Sequence, residues 1–242
     1  MAEYYQKNMR IGASLCGADG KMSIPGAFAI FQDLASEHAE QMGIGFEHMK
    51  ENHAFWVTVR TRVRLERRPE IMAQVTLETW PAAPGKVRCD RFYRMRSGDA
   101  LLAEGRTEWC VVNTETGSTC PLEGVFDAET EYREEKLLDT PYARFRHNFT
   151  DADCACSYVV RTSDIDLGRH MNNVAYLRLI CDSFSVAELE DMNVRELEIM
   201  FLSSCYEGDH LEVMRRRTDA GFEFGVRRAD GRYAALAQLR TE

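Results

Sequence analysis

The feature that most constrains this chain is a plan that occurs twice, one amphipathic helix followed by a series of alternating strands. Residues 23–42 carry apolar side chains at helical spacing, with Ser23 placed to cap the start and Gly43 to end the helix. Four segments in which apolar and polar residues alternate follow it, at 55–66, 74–80, 87–96 and 100–112. Such alternation is typical of antiparallel strands with one buried face.

The second half repeats this order. A short strand at 156–162 precedes a helix that begins near Asn173, with Val174, Leu177, Cys181 and Phe184 on one face. Alternating segments at 197–203, 209–217, 221–228 and 232–240 then predict strands. Even the letters agree, since "MSIPGAFAIFQD" and "MNNVAYLRLICD" both lead from Met through Ala-aromatic into the helix. A helix that is buried by an antiparallel sheet is an α+β arrangement.

We therefore expect two similar units, 1–120 and 154–242, joined by a more polar and less periodic linker at 121–153. The first residues lack the apolar core of a signal peptide, and no apolar run reaches the roughly 20 residues of a membrane span. The eight cysteines show no C-x-x-C spacing, and no two histidines lie at ligand spacing. Free thiols, a reducing cytoplasm and no metal or other cofactor are the resulting expectations.

Charge narrows the choice of partners. The net charge is −9, from 30 basic and 39 acidic residues, which argues against general binding to nucleic acid. A local basic patch on this acidic body stays compatible with that balance.

The densest polar cluster stands directly in front of the second helix, in "TSDIDLGRHMNNVAYLRLICDSF" at 162–184. A helix N-terminus presents unpaired backbone N–H groups and the positive end of a dipole, so it stabilises negative charge that develops nearby. The cluster is therefore predicted to surround the positive end of a helix whose body is apolar.

Two stretches resemble a known family. "AFWVTVRTRVRLERRPEIMAQVTLETWPAAPGKVRCDRFYRM" at 54–95 and "SDIDLGRHMNNVAY" at 163–176 are similar to the acyl-ACP thioesterases of plants and bacteria. The resemblance implies a tandem (double) hotdog fold and release of free fatty acid from acyl-acyl carrier protein. It also implies that the first hotdog supplies much of the acyl pocket and the second the active site, with acyl carrier protein as the partner.

Thioester hydrolysis needs donors for the carbonyl oxygen and an activated water or nucleophile. Asp166 is predicted to be the catalytic carboxylate, as general base or as nucleophile, and the resemblance assigns catalytic roles to it and to His170. Either Asn172 or Asn173 is expected to cap the helix while the other faces the substrate. In the alternative interpretation Asp164, and even Asp166, only satisfies turn amides, and His170 is structural.

Two departures from the plant pattern weaken the expected network. Gly168 stands where the plant enzymes carry an asparagine, and Ser204 stands before Cys205 where they carry a glutamate. Cys205 suggests a second possibility, a thiolate nucleophile with His170, but its apolar strand pattern favours a packing role.

Acyl binding is predicted for Phe28, Phe31 and Trp56, although aromatic residues at helical spacing are as often plain core. Docking of the acidic carrier is predicted at Arg60, Arg62 and Arg64, with Arg215–Arg217 and Arg227–Arg228 as other basic clusters. In the alternative interpretation, these arginines form a solvated strand face without a docking role.

Three functions stay open on the sequence alone: hydrolysis of acyl-ACP, hydrolysis of acyl-CoA by the same site, and acyl binding without chemistry. The segment before the first helix lacks the signature, meaning the Asp, His and paired Asn residues found at 166–173. One active site per chain is therefore expected. Chain length is not fixed by the sequence, and a homodimer is compatible with it.

Overall fold

The computed structural model describes residues 4–126 and 129–241 and divides the chain into two compact units, Met1–Thr140 and Pro141–Glu242. The boundary between the units falls inside the segment 121–153 that the sequence suggests as a linker. In the described part of the chain, no helix is long and apolar enough to cross a membrane.

The first unit combines two helices with an antiparallel sheet. Among its described residues the elements are β1 (Tyr5–Arg10), α1 (Ile24–Gln41), α2 (Phe46–Glu51), β2 (Ala54–Leu65), β3 (Gln74–Pro81), β4 (Cys89–Ser97), β5 (Ala100–Asn113) and β6 (Thr119–Cys120). The strands follow the order β1-β3-β4-β5-β2, and β6 pairs with β5. Helix α1 confirms the helix predicted over 23–42.

The ends of α1 follow from its sequence. Ser23 is the N-cap, and its Oγ accepts a hydrogen bond from the Gly26 N–H at 3.0 Å. Pro25 lies in the first turn, where no backbone N–H is needed. The apolar face of α1 packs on the sheet, where Phe31 stacks on Tyr93 of β4 with ring centroids 4.9 Å apart. Burial of this face therefore holds the helix in the unit.

Among its described residues, the second unit also combines two helices with an antiparallel sheet, of five strands instead of six. The elements are β7 (Cys154–Val159), α3 (Asn173–Cys181), α4 (Val186–Asp191), β8 (Val194–Phe201), β9 (His210–Thr218), β10 (Gly221–Arg228) and β11 (Tyr233–Thr241). The antiparallel order is β8-β11-β10-β9-β7. An antiparallel sheet with a buried helix in each unit confirms the α+β class.

One expectation for the second unit is wrong. The sequence pattern continues α3 to Phe184, but the helix ends at Cys181, after nine residues. Phe184 lies in the turn beyond and meets Phe222 and Phe224 of β10, with ring centroids 5.0 and 5.9 Å apart. Contacts with the sheet, and not the helical repeat, therefore decide where this side chain goes.

The loops that lead into α1 and α3 have the same backbone. In the first unit Cys16 and Met22 form an isolated antiparallel bridge, and in the second unit Ile165 and Met171 do the same. Both bridges join residues six positions apart and follow a short 3-10 turn, at 13–15 and at 162–164. The repeated order of elements thus extends to the geometry of a single loop.

Hydrogen bonds inside the two loops also match. Gly17 N–H donates to the Lys21 carbonyl at 2.9 Å, and Asp166 N–H donates to the His170 carbonyl at 3.0 Å. The first loop therefore holds Gly17 and Lys21 where the second holds the two predicted catalytic residues. Position by position, the chemistry of the signature is present in the second loop alone.

Candidate active site

The candidate active site is the loop 165–171 together with the first turn of α3. Two anchors fix this loop: the Met171 N–H donates to the Cys205 carbonyl at 2.8 Å, and the Asn172 N–H donates to the Asp164 carbonyl at 2.7 Å. The bridge between Ile165 and Met171 closes it. The loop therefore presents Asp166 and His170 from a short and well-bonded turn.

A left-handed residue completes the turn. Arg169 has φ +58°, and its N–H donates to the Asp166 carbonyl at 3.0 Å. The equivalent residue of the first loop is Gly20, at φ +70°. This region is open to glycine without steric cost, whereas an arginine there carries backbone strain. The second loop thus accepts a strained residue next to both predicted catalytic side chains.

One of the two Asp166 carboxylate oxygens accepts a hydrogen bond from the loop. Its Oδ1 accepts the Gly168 N–H at 2.8 Å and lies 3.7 Å from His170 Nδ1. Among the described residues, Oδ2 has no hydrogen-bond partner. The side chain is 24% exposed, so solvent reaches it. One oxygen is therefore positioned by the loop and the other is available to a water molecule.

His170 lies over Gly168. A Cβ placed on Gly168 would come within 2.7 Å of His170 Nε2 and 3.1 Å of Asp166 Oδ1, so a side chain here would require the imidazole to shift. On its other side the ring has Nδ1 3.5 Å from the Met171 carbonyl. The departure from the plant pattern at Gly168 therefore has a local reason, because the imidazole occupies the space that a side chain would need.

The start of α3 separates the roles of the two asparagines. Asn172 is the N-cap, and its Oδ1 accepts the Val174 N–H at 2.8 Å. Asn173 is the first helical residue, and among the described residues neither its backbone N–H nor its amide has a hydrogen-bond partner. A free N–H at the positive end of a helix can donate to an oxyanion. Asn172 supports the helix, and Asn173 has donors left for a ligand.

Together these groups meet the chemical needs of acyl transfer to water. A carboxylate oxygen can hold a water molecule, an imidazole lies beside it, and unpaired N–H donors stand at the helix end a few residues away. The Asp166–His170 separation is longer than a hydrogen bond, as catalytic contacts often are before substrate binds.

Other polar residues of the segment have structural partners instead. Asp164 Oδ2 accepts the Tyr158 hydroxyl and the Arg161 N–H, both at 2.8 Å, as the turn interpretation predicts. Thr162 donates to the exposed Glu207, so this glutamate is engaged away from Asp166. Neither acidic residue therefore joins the pair at Asp166 and His170.

Cys205 is buried and lies in the loop after β8, so its predicted place on a strand is wrong. Strand β8 ends at Phe201, four residues before Cys205. The Cys205 carbonyl accepts the hydrogen bond from the Met171 N–H. The side chain is 0% exposed, and burial raises the pKa of its thiol. A neutral, inaccessible thiol is unsuited to nucleophilic attack.

A cavity of about 70 Å³ lies in the first unit, between α1 and the sheet. Of the aromatic residues predicted to bind the acyl chain, Trp56 lines it and donates its indole N–H to the Ile44 carbonyl at 3.0 Å. Phe28 and Phe31 are buried on α1 and are not among the lining residues. The structure thus brings only one of the three to the cavity.

The predicted arginine face of β2 is partly wrong. A bulge between Thr58 and Arg60 interrupts the alternation of the strand. Arg62 is only 4% exposed, and its Nη1 donates to the Thr140 hydroxyl at 2.8 Å. Arg60 and Arg64 are half-buried, so a docking surface on this strand rests on these two and not on Arg62.

Two further residues of the first unit line its cavity, and no motif in the sequence indicates them. Arg91 of β4 and Trp109 of β5 both line the cavity of the first unit. Alternating patterns on a strand indicate which face a residue occupies but not which side chains it contacts there.

Among the described residues, no group of three His, Cys, Asp or Glu side chains is arranged to hold a metal ion, and the eight cysteines form no disulfide.

Family models match both halves of the chain. The acyl-ACP thioesterase N-terminal domain matches residues 2–126, and the acyl-ACP thioesterase C-terminal domain matches residues 148–240. A palmitoyl-acyl carrier protein thioesterase of Gossypium hirsutum is 24% identical over 235 residues, which cover 92% of this chain and 57% of the relative. An oleoyl-acyl carrier protein thioesterase of Coriandrum sativum is 26% identical over 208 residues, or 76% of this chain and 54% of the relative. The chain therefore spans little more than half the length of these relatives.

Solved structures agree in fold. An acyl-ACP thioesterase from Bacteroides thetaiotaomicron superimposes with a TM-score of 0.86 at 18% identity, covering 100% of both chains. The 12:0-ACP thioesterase from Umbellularia californica gives a TM-score of 0.80 at 18% identity, covering 100% of this chain and 99% of the other. These superpositions confirm the expected tandem hotdog fold. With both domain models matched in sequence order, this chain belongs to the acyl-ACP thioesterase family.

Proposed function

We propose that this chain hydrolyses the thioester of acyl-acyl carrier protein and releases a free fatty acid. The observation that carries the proposal is that Asp166 has an open carboxylate oxygen and that Asn173, at the start of α3 seven residues later, has unpaired N–H donors. Membership of the acyl-ACP thioesterase family supports the choice of substrate. The named activities of the plant relatives point the same way.

In the proposed reaction, the thioester carbonyl oxygen accepts hydrogen bonds from Asn173. Asp166 takes a proton from a water molecule that attacks the carbonyl carbon, and negative charge moves to the oxygen held at the helix end. The C–S bond then breaks, and the proton taken by Asp166 passes through His170 to the departing pantetheine thiolate, which restores the Asp166 carboxylate. The products are one carboxylic acid and one thiol, so the atoms of one water are accounted for.

A direct attack by Asp166 on the carbonyl is the alternative route, through an acyl-aspartyl anhydride. Repeated turnover in ¹⁸O-water detects this route where water opens the anhydride at the aspartyl carbon. Attack of water on the aspartyl carbon of the anhydride would place ¹⁸O in the Asp166 carboxylate, a gain of about 2 Da per exchanged oxygen in the peptide that contains it. General-base catalysis leaves that peptide mass unchanged and labels the fatty acid alone.

The test of the proposed activity is free-acid release from a series of acyl-ACP and acyl-CoA substrates of increasing chain length. Asp166→Asn should retain the fold, because the new Oδ1 still accepts the Gly168 N–H, and should lose about 10²- to 10⁴-fold in kcat. Asp164→Asn is the matched control: it should cost stability but keep most of the rate. Equal rates for Asp166→Asn and the native protein would rule out the assigned carboxylate.

Acyl carrier protein is the proposed partner, and its acidic surface requires a basic one here. Since Arg62 is buried, we assign docking on β2 to Arg60 and Arg64. Charge reversal of these two should reduce kcat/KM for carrier-bound substrate far more than for a short N-acetylcysteamine thioester. Equal losses on both substrates would contradict the docking assignment.

Acyl binding is proposed for the cavity of the first unit, with Trp56 as the aromatic residue involved. Trp56→Ala should then shift the chain-length profile, whereas Phe28→Leu in the packed face of α1 should chiefly lower stability.

We also propose a cytoplasmic location, since eight free thiols suit a reducing compartment. Light scattering of the purified chain would test whether it forms a homodimer.

A further inference from the structure

A buried cation lies at the cavity of the first unit. Arg91 is 6% exposed and is one of the residues that line this space. Most of the remaining lining is apolar: Ala35, Ala39, Ile44, Trp56, Cys89 and Phe126. A guanidinium in such surroundings is unusual, because a buried charge is costly unless a partner compensates it.

The partners of Arg91 are neutral and few. Its Nη1 lies 2.9 Å from Nδ1 of the buried His38 and 3.4 Å from the Thr79 hydroxyl. A guanidinium has donors only, so His38 Nδ1 is the acceptor of this bond. Among the described residues, no carboxylate lies at ion-pair distance from Arg91, and its Nε and Nη2 have no acceptor. Burial lowers the pKa of Arg91, in keeping with the missing counter-charge.

A second donor at the same cavity is unsatisfied. Trp109 lines the space, and its buried Nε1 reaches no acceptor at hydrogen-bond geometry among the described residues. Burial raises the pKa of the Tyr93 hydroxyl, and the Trp109 N–H offsets part of that rise without forming a bond of good geometry. Buried donors without acceptors are rare, and each needs a reason.

We infer that this cavity selects acyl chains that carry an oxygen acceptor, whether a hydroxyl, an oxo group or a second carboxylate. The inference rests on the proposed function, since it assumes that the acyl chain enters this space. A plain hydrocarbon would cover the donors of Arg91 and Trp109 without offering them an acceptor. An oxygen on the chain accepts from them, and sites built in this way reject the analogue that lacks the oxygen.

The experiment compares acyl-ACP substrates of equal length that are plain, hydroxylated, oxo-substituted or ω-carboxylated. The native protein should show kcat/KM about 10- to 100-fold higher for at least one oxygenated chain, the gain expected for a hydrogen bond to a charged donor. The chain with the highest kcat/KM identifies the oxygen group that the cavity selects. Arg91→Met should abolish or invert the preference, and Arg62→Met is the control, a buried arginine of the same unit that does not line the cavity.

Equal or better turnover of the plain chain by the native protein, or an unchanged ratio in Arg91→Met, would overturn the inference. If Arg91→Met does not fold, Trp109→Phe removes only the N–H and should reduce the same ratio. If no thioester is hydrolysed at all, the proposed function fails separately. Binding of the corresponding N-methyl amides, followed by tryptophan fluorescence, then decides the inference, with the same preference for the oxygenated chain expected.

Discussion

At the scale of single residues, the site depends on the absence of a side chain at Gly168. The His170 ring and the Asp166 carboxylate both approach this position, so the pair and the glycine form one steric unit. The departure from the plant pattern therefore does not in itself indicate lost activity. It indicates a different arrangement of groups around the same carboxylate.

Gly168→Ala tests this view with a single methyl group. The added Cβ would lie 2.7 Å from His170 Nε2, so the imidazole must move, and kcat should fall at least about tenfold. Gly12→Ala is a suitable control, because its Cβ would meet nothing closer than 3.9 Å. The readout is kcat at saturating acyl-ACP together with the melting temperature. Unchanged kcat in Gly168→Ala would show that the position of His170 does not matter.

Cys205→Ala addresses the thiol at the same scale. Since burial raises the pKa of this thiol and no solvent reaches it, we expect kcat within about threefold of the native value. The small cavity left behind should cost about 1 kcal/mol of unfolding free energy. Iodoacetamide should label Cys205 slowly in the folded protein at neutral pH. A complete loss of turnover in a folded Cys205→Ala protein would restore the nucleophile hypothesis.

At the scale of elements, periodicity was sufficient for α1 and for most strands, because each buries one face on a sheet. β1 lacks such a signal: its six residues are mostly polar, and it forms by pairing with β3. The length of α3 also escapes the pattern, since the helix ends at Cys181 and Phe184 packs on β10 from the turn beyond. The cap could be narrowed to Asn172 or Asn173 from sequence, but only the hydrogen bond to Val174 distinguishes them.

The two matching loops give a prediction about backbone strain. Gly20→Ala puts a Cβ into a left-handed conformation and should destabilise the protein by about 1–2 kcal/mol. Arg169→Gly does the opposite in the second loop and should stabilise by up to about 1 kcal/mol, because relief of strain exceeds the added freedom of the unfolded chain. Chemical denaturation of both variants measures these effects. Destabilisation by Arg169→Gly would show that the arginine side chain contributes more than its strain costs.

At the scale of the whole molecule, duplication and the alternating sheets were readable from sequence because they repeat over many residues. The environment of Arg91 is not readable from the sequence. Alternation on β4 cannot show that His38 and Thr79 contact the guanidinium. The same limit applies to the burial of Arg62, which follows from a bulge and a contact with Thr140. Long-range packing decides both.

Alkaline stability is a property of the whole fold. Burial raises the pKa of the Cys89 thiol from 9.0 to about 12, so between these values the unfolded chain ionises this group and the folded protein does not. The stabilisation is thus present below pH 9 and is lost as pH rises toward 12, by about 1.4 kcal/mol per pH unit. The unfolding free energies of the native protein and of Cys89→Ala should differ by about 2 kcal/mol less at pH 10.5 than at pH 8.5. A constant difference would contradict the buried, neutral thiol.

The two loops with one backbone have a consequence for how this chain could be redesigned. Because positions 17–21 already follow the path of 166–170, the first loop is a vacant scaffold for the signature. Grafting Asp-Leu-Gly-Arg-His into it would remove the Asp19–Arg68 ion pair and the hydrogen bond from the Lys21 N–H to Asp19 Oδ1, and would place a non-glycine residue at position 20. The first loop thus offers a second backbone of the same hydrogen-bond pattern, in which the proposed catalytic residues could be introduced one side chain at a time and compared with those of the second loop.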